Sequence, residues 1–180
     1  WGGTGACWDS GGESKGPRTM EQLVLPNVYV IARERERPEH VLLQQRWKPH
    51  SDPANSGRWE LPGGKWRAFE TIAVCAAREL REETGLVDVD VLGARSDHEL
   101  LGDRVQVSAG VQLVQMVEGP YPSVLAVVDA IASGRPRTTG DGSRAAQWVD
   151  ETRLRNMLLS EPETFTALSH AALRHRFASS

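Results

Sequence analysis

Three glutamates in one short segment are the residues with the clearest chemical potential. Glu79, Glu82 and Glu83 lie within residues 70–83, a stretch without Gly or Pro. On a helix, offsets of three and four place these carboxylates within an arc of about 100°, so they share one face. Like charges at this spacing cost roughly a few tenths of a kcal/mol per pair, and anions are disfavoured near a helix C-terminus. A cation that prefers oxygen ligands, Mg²⁺ or Mn²⁺, would offset that cost.

The helix pattern alone does not require a cation at the acidic face. Arg78 and Arg81 could neutralise the glutamates, because Arg78 precedes Glu82 by four residues and is within pairing distance on a helix. Charged runs of this kind are also common on ordinary solvated surfaces. The opposite arc is small or apolar and predicts close packing of the helix on a sheet; it comprises Ala73, Ala77, Leu80 and Thr84.

The residues around the glutamates favour a cation site over a solvated surface. Gly64 is followed after five residues by Glu70, and after seven more by Arg78-Glu79-Leu80; Glu82-Glu83 and Gly85-Leu86 complete the pattern. This arrangement resembles the Nudix box, with nine fixed or class-restricted positions met over the 23 residues 64–86. Weaker similarities to the family occur on both sides, in residues 42–46, 59–64 and 147–149. The resemblance therefore spans about residues 25–160.

Membership of the Nudix family would imply an α/β fold, a Nudix-type α/β/α sandwich around a mixed β-sheet. It would also imply hydrolysis of a diphosphate bond in a nucleoside diphosphate linked to another group, with Mg²⁺ or Mn²⁺ as cofactor. By the same resemblance, Arg78 orients the acidic residues and Glu70 braces the turn. The metal ligands implied are the Gly64 carbonyl, Glu79, Glu82 and Glu83.

The resemblance does not decide which carboxylate accepts the proton from water. Glu82 or Glu83 could do so within the box, and Glu82 is the first choice. Outside the box, a predicted loop with His98, Glu99 and Asp103 offers a second choice, Glu99, and Glu118 is a further candidate. Arg46, Lys48 and Arg58 could meet phosphates, and Trp66 could contact a base; these are the predicted substrate-binding residues.

The substrate is predicted by elimination. ADP-ribose hydrolases of this family tend to carry a proline where Leu101 stands, and residues 87–119 contain no proline. We therefore expect a MutT-type nucleoside triphosphate pyrophosphohydrolase, with an ADP-ribose, sugar-nucleotide or dinucleotide pyrophosphatase as the alternative. A catalytically silent ligand-sensing protein of the same fold is less compatible with a complete set of box carboxylates. An isopentenyl diphosphate isomerase-like enzyme would need a further Cys that the pattern lacks.

Periodicity predicts the elements that must position these residues. Pro62-Gly63-Gly64 predicts a sharp bend before the box, and Gly85 a helix end after it. Strands are predicted at residues 27–32, 40–47, 58–61, 86–92, 105–117 (with Gly110 as a bulge) and 145–149. Helices are predicted at residues 70–83, 121–132, 150–159 (capped by Asp150) and 161–177. This succession lacks a regular βαβ alternation, which favours a sandwich around a mixed sheet.

Composition limits the partners and the compartment. A length of 180 residues suits one core, and a net charge of −3 does not support binding of a nucleic-acid polymer. Two cysteines and the absence of a membrane-length apolar run favour a cytoplasmic protein without membrane contact. Residues 1–19 are Gly-rich and predict a flexible tail, followed by a single domain at 20–180. The tail is interpreted as an added or upstream extension, with a natural tail that packs on a neighbour as the alternative. A small-molecule nucleotide is the expected partner, and a homodimer is compatible with the family.

Overall fold

The computed structural model describes residues 22–177, and the predicted tail and Met20 lie outside them. Ten strands and three helices are present in this part of the chain, together with a 3₁₀ turn at Pro162–Thr164. The helices are α1 (Ile72–Thr84), α2 (Glu151–Ser160) and α3 (Ala167–Phe177). The strands are β1 (Leu25–Glu34), β2 (His40–Arg46), β3 (Trp59–Glu60), β4 (Gly63–Lys65), β5 (Asp88–Val91), β6 (Arg95–Leu100), β7 (Asp103–Ser108), β8 (Gln112–Gln115), β9 (Ser123–Ser133) and β10 (Ser143–Asp150).

Eight of the strands form one mixed sheet. Its path runs β10-β2-β1-β9-β5, and the short strands β3, β4 and β8 pair with β2, β1 and β9. The central pair β1–β9 is parallel over ten residue pairs, whereas the other pairs are antiparallel. β4 is antiparallel to the start of β1, with Gly64 opposite Val28, so the sharp bend predicted at the glycines is held against the centre of the sheet.

The sheet has a helical layer on each face, because successive side chains of a strand point in opposite directions. Val28, Val30 and Ala32 of β1 face α1 and pack with Cys75, Ala76 and Leu80. Ile31 faces the other way, in the cluster formed with Leu154, Phe165 and Leu173 from the C-terminal segment. This is the predicted α/β/α sandwich around a mixed sheet. None of the helices among residues 22–177 is long and apolar enough to cross a membrane.

The prediction of a helix at residues 121–132 is wrong, because this segment forms the long strand β9. β9 lies between β1 and β5 at the middle of the sheet, and Leu125, Ala126, Val127 and Val128 are all buried. A strand buried on both faces has a continuous apolar run without a period of two, and such a run cannot be distinguished from a buried helix by pattern.

Other predicted elements also differ in type or extent. The loop expected around His98–Asp103 is the exposed hairpin β6–β7, and the strand expected at 105–117 is split into β7 and β8 around Gly110, whose φ is 76°. The helix expected at 161–177 begins only at Ala167, because Pro162 starts a 3₁₀ turn that ends at the extended residue Phe165. By contrast, the side chain of Asp150 caps α2 as predicted, accepting from the N–H groups of Thr152 and Arg153.

Candidate active site

Two glycines, Gly63 just before the box and Gly64 at its start, allow the chain to pass between β1 and α1. A Cβ at Gly63 would lie 2.4 Å from the carbonyl oxygen of Val28, and the φ of Gly63 is 153°. A Cβ at Gly64 would lie 2.6 Å from the Oε2 of Glu79. The backbone of Val28 cannot give way, so Gly63 has to be glycine, whereas a side chain at Gly64 would displace the carboxylate of Glu79 from its present position.

Local sequence sets the limits of α1. The hydroxyl of Thr71 accepts from the N–H of Val74 at 3.2 Å, which caps the N-terminus. Gly85 has a φ of 77° and donates its N–H to the carbonyl of Arg81, a left-handed cap typical of glycine. Leu80 and Thr84 are fully buried as predicted, and Ala73 and Ala77 are half-buried. The small side of the helix therefore packs on the sheet and leaves the glutamates beside the bend.

Glu83 is held at its carboxylate end inside the protein. Its Oε2 accepts from the Nε2 of Gln44 at 2.6 Å and from the backbone N–H of Gly63 at 2.9 Å. Burial raises the pKa of Glu83 to about 8, the negative charges of Glu60 and Glu79 add to that effect, and the two donated hydrogen bonds oppose it. The carboxylate is thus oriented by two neutral donors.

Glu60 is a site residue that the sequence did not single out. It lies opposite Gln44 in the β2–β3 pair and is buried. Burial raises its pKa to about 7, although Arg46, at 3.5 Å, acts in the opposite direction. The one sequence signal is a charged residue between Trp59 and Leu61 in a segment predicted to be a strand; the register that brings it to Gln44 cannot be read from the chain.

Arg78 links most of the acidic groups of the box. Its Nε and Nη2 donate to the two oxygens of Glu70 at 2.7 and 2.9 Å, and Nη2 also reaches the carbonyl of Lys65 at 3.2 Å. Its Nη1 donates to Glu79 and, at 3.2 Å, to Glu82. Hydrogen bonds from Arg78 lower the pKa of Glu70 to about 2. The geometry is that of a bidentate brace between the bend and the helix, as the box resemblance implied for this pair.

The glutamates of the acidic face differ in exposure. Glu79 and Glu83 are buried, whereas the Glu82 side chain is 37% exposed and lies 3.7 Å from Arg67. The second candidate base, Glu99, is on the exposed hairpin opposite Arg104 and belongs to a different part of the chain surface. Of the two, only Glu82 shares α1 with the buried carboxylates.

The oxygen donors of the site suit a hard divalent cation, although their side chains do not converge on a single position. Between residues 22 and 177, no three His, Cys, Asp or Glu side chains already converge in a metal-binding geometry. The carboxylate oxygens of the site are bonded to Arg78, Gln44 and Gly63 instead. Yet the donors that the site offers are oxygens, and burial disfavours the charged forms of Glu60 and Glu83 by raising their pKa values, so a bound cation would stabilise those charged forms. Because Gly64 has no Cβ, its backbone lies next to the carboxylate of Glu79.

The predicted substrate-binding residues lie on or near the loop before the box. The guanidinium of Arg46 is already paired with Asp52, at 2.6 Å, and with Glu60. Lys48 is exposed and Arg58 is half-buried in the same loop. Trp66 is 36% exposed, and its indole N–H donates to the carbonyl of Glu70 at 2.7 Å. Lys48 is therefore the cation in this set with the most accessible charge.

Comparison with known proteins places these features in a family. A model of the NUDIX domain matches residues 24–168. A Mycobacterium tuberculosis protein named "Putative 8-oxo-dGTP diphosphatase 2" is 44% identical over 79 residues, which are 44% of this chain and 48% of that protein. The chain thus aligns with about half the length of this curated relative.

Solved structures share the fold at low sequence identity. The MutT protein from Methanosarcina mazei Go1 has a TM-score of 0.56 and 24% identity, with 89% of this chain and 97% of that chain covered. The NUDIX domain of Shewanella oneidensis NrtR, solved with ADP ribose, has a TM-score of 0.57 and 18% identity, with coverages of 92% and 93%. The family match spans most of the chain and includes the box, the bend, α1 and α2; the chain belongs to the Nudix family.

Proposed function

We propose that this protein is a Mg²⁺-dependent hydrolase that cleaves a diphosphate bond in a nucleoside triphosphate, releasing a monophosphate and pyrophosphate. The observation that carries the proposal is the group of carboxylates at the Gly63–Gly64 bend. Glu79 and Glu83 are buried there, and the negative charges of Glu79 and of the buried Glu60 both act on Glu83. Buried like charges are costly unless a cation or a proton neutralises them. A site that keeps three acids together is therefore suited to a cation and an anionic substrate.

The metal ligands in this proposal are Glu79, Glu82, Glu83 and the carbonyl of Gly64. Mg²⁺, or Mn²⁺, would supply positive charge to the diphosphate oxygens and make a bound water more acidic. The chain's own contribution is to hold the carboxylates in place: Gln44 and the Gly63 N–H orient Glu83, and Arg78 orients Glu79 and Glu82. Glu70 keeps Arg78 in place through its bidentate pair.

We assign proton acceptance to Glu82, with Glu99 as the alternative. Glu82 is the exposed member of the acidic face and is on the same helix as the buried glutamates, so it can reach solvent water beside them. Glu99 would have to act from the β6–β7 hairpin.

Lys48, Arg58 and Trp66 are the proposed substrate contacts, with Arg46 as a fourth. Because Arg46 is paired with Asp52 and Glu60, it would meet a phosphate only by sharing its guanidinium with these carboxylates. Lys48 has an open approach from solvent. The choice of a triphosphate rests on the M. tuberculosis relative, of which the matched segment covers only part. We also propose that the protein is cytoplasmic and that its partner is a small-molecule nucleotide.

A screen for phosphate and pyrophosphate release tests this function. Mg²⁺ would be supplied with 8-oxo-dGTP, dGTP and the other dNTPs, and with ADP-ribose, NADH, sugar nucleotides and dinucleoside polyphosphates in parallel. Pyrophosphate from a triphosphate supports the proposal, and turnover of ADP-ribose or a sugar nucleotide alone would replace it with the alternative. Ligand binding without turnover would identify a sensing protein.

A pair of variants ties any turnover to the site. Glu83→Gln keeps the shape of the side chain and is expected to remove nearly all Mg²⁺-dependent hydrolysis while the far-UV CD spectrum is retained. Glu163→Gln, at an exposed position on the 3₁₀ turn, is the matched control and should behave like wild type. Unchanged turnover in Glu83→Gln would refute the assignment of the metal site.

A further inference from the structure

The C-terminal end of α1 is covered by the segment that leads into β10. In an α-helix the last carbonyl groups have no partner within the helix. Here the carbonyl of Thr84 accepts from the N–H of Arg137 at 2.8 Å, and the carbonyl of Glu83 accepts from the Ser143 hydroxyl at 3.4 Å. Residues 137–143, called here the cover segment, therefore donate hydrogen bonds to the carbonyls of Glu83 and Thr84. Glu83 is also the residue whose carboxylate lies in the acidic group.

Gly140 makes the closest approach in the cover segment. A Cβ at this position would lie 1.9 Å from the carbonyl oxygen of Glu83 and 2.5 Å from the hydroxyl of Ser143. Both distances are far below any real contact, so a side chain would require the segment or the helix end to move. Glycine is needed at this position for space next to Glu83.

The cover segment is itself anchored to the strand that holds the other end of Glu83. Ser143 is opposite Arg46 in the β10–β2 pair, and the N–H of Trp47 donates to the carbonyl of Gly142 at 2.8 Å. β2 also carries Gln44, which donates to the carboxylate of Glu83. One strand thus fixes both ends of this residue, directly through Gln44 and indirectly through the cover segment. A shift at either end would change the direction of the carboxylate.

We propose that the cover segment is a positioning element for the metal site, and that Gly140 and Ser143 act through the backbone of Glu83. The inference rests on the proposed function, in which Glu83 is a metal ligand. According to this proposal, residues that lie outside the box contribute to the affinity of the site for the metal. Residues that support a ligand from behind typically change metal affinity by about 10–100-fold when they are replaced.

Mn²⁺ binding, followed by the EPR signal of the free ion, tests this role without any measurement of turnover. Gly140→Ala is expected to weaken Mn²⁺ binding by about ten-fold in Kd, and Ser143→Ala by a smaller factor, since it removes a hydrogen bond without adding bulk. Glu163→Gln, at an exposed position outside the cover segment, is the control and should bind like wild type. If Gly140→Ala does not fold, Ser143→Ala provides the test.

A double-mutant cycle separates positioning from a general loss of structure. If Gly140 acts through Glu83, then Gly140→Ala should add little to the Mn²⁺ Kd of Glu83→Gln, because the carboxylate that it positions is already changed. Additive effects, or a wild-type Kd in folded Gly140→Ala and Ser143→Ala, would overturn the inference while leaving the proposed function intact. A wild-type chain that binds no Mn²⁺ would overturn both.

Discussion

The pair between Glu70 and Arg78 gives the most direct test of the physical reasoning at the site. Both oxygens of Glu70 accept from Arg78, and the side chains of both residues are 9% exposed. Arg78 lowers the pKa of Glu70 from 4.5 to about 2. At about 1.36 kcal/mol per pKa unit this corresponds to roughly 3 kcal/mol, and screening at the edge of the loop reduces the expected contribution to about 2 kcal/mol.

Glu70→Gln retains the shape and removes the charge, so we expect the free energy of unfolding at pH 7 to fall by about 2 kcal/mol. Because the folded-state pKa is depressed, this stabilisation is present above about pH 4.5 and is lost as the pH falls towards 2. The difference between wild type and variant should therefore shrink to less than half its size by about pH 3.

Urea denaturation followed by tryptophan fluorescence at pH 7 and pH 3 measures both quantities. Glu163→Gln, which removes an exposed charge on the 3₁₀ turn, should leave the midpoint unchanged at both pH values. Equal stabilities of Glu70→Gln and wild type at pH 7 would refute the assigned strength of the pair. A difference that did not depend on pH would refute its electrostatic origin.

Three further outcomes are expected. The raised pKa values of Glu83, about 8, and Glu60, about 7, mean that the folded protein retains protons that the unfolded chain releases. The Tm in EDTA should therefore fall from pH 5 to pH 8, and a Tm that rose over this range would contradict the burial of these acids. Leu61→Ala, at a fully buried position, should cost about 3 kcal/mol in urea denaturation, and a loss of only a few tenths would be inconsistent with its packing. Deletion of residues 1–19 should leave Tm and phosphate release unchanged; a large loss of either would show that the domain extends further.

Local chemistry was sufficient to predict α1 and the bend before it. The stop at Gly85 and the small residues on one side, both predicted from the sequence, act within a few positions of the chain, and so does the cap at Thr71 that the structure shows. The pairing of Arg78 with Glu82 is also local, because the spacing of four residues brings the two side chains together on any helix. The sequence therefore determined the acidic face, the pairing of Arg78 with Glu82 and the family, whereas the pairing of Arg78 with Glu70 was expected only from the resemblance to that family.

Long-range pairing determined the features that the sequence could not show. β9 is a strand because it lies parallel to β1 at the centre of the sheet, where its apolar run is buried on both faces. Glu60 joins the acidic group only because the β2–β3 register places it opposite Gln44. Gly140 meets Glu83 across a long separation in the chain, which no local pattern predicts.

The electrostatic state of the glutamates also depends on the fold. Spacing places Glu79, Glu82 and Glu83 on one face, but it does not tell which of them loses contact with water. Packing against β1, β2 and the glycine bend buries Glu79 and Glu83 and leaves Glu82 exposed. The sequence by itself determined which residues could bind a cation. Only the tertiary structure decided which of them are desolvated, because desolvation is set by neighbours that are distant in the chain.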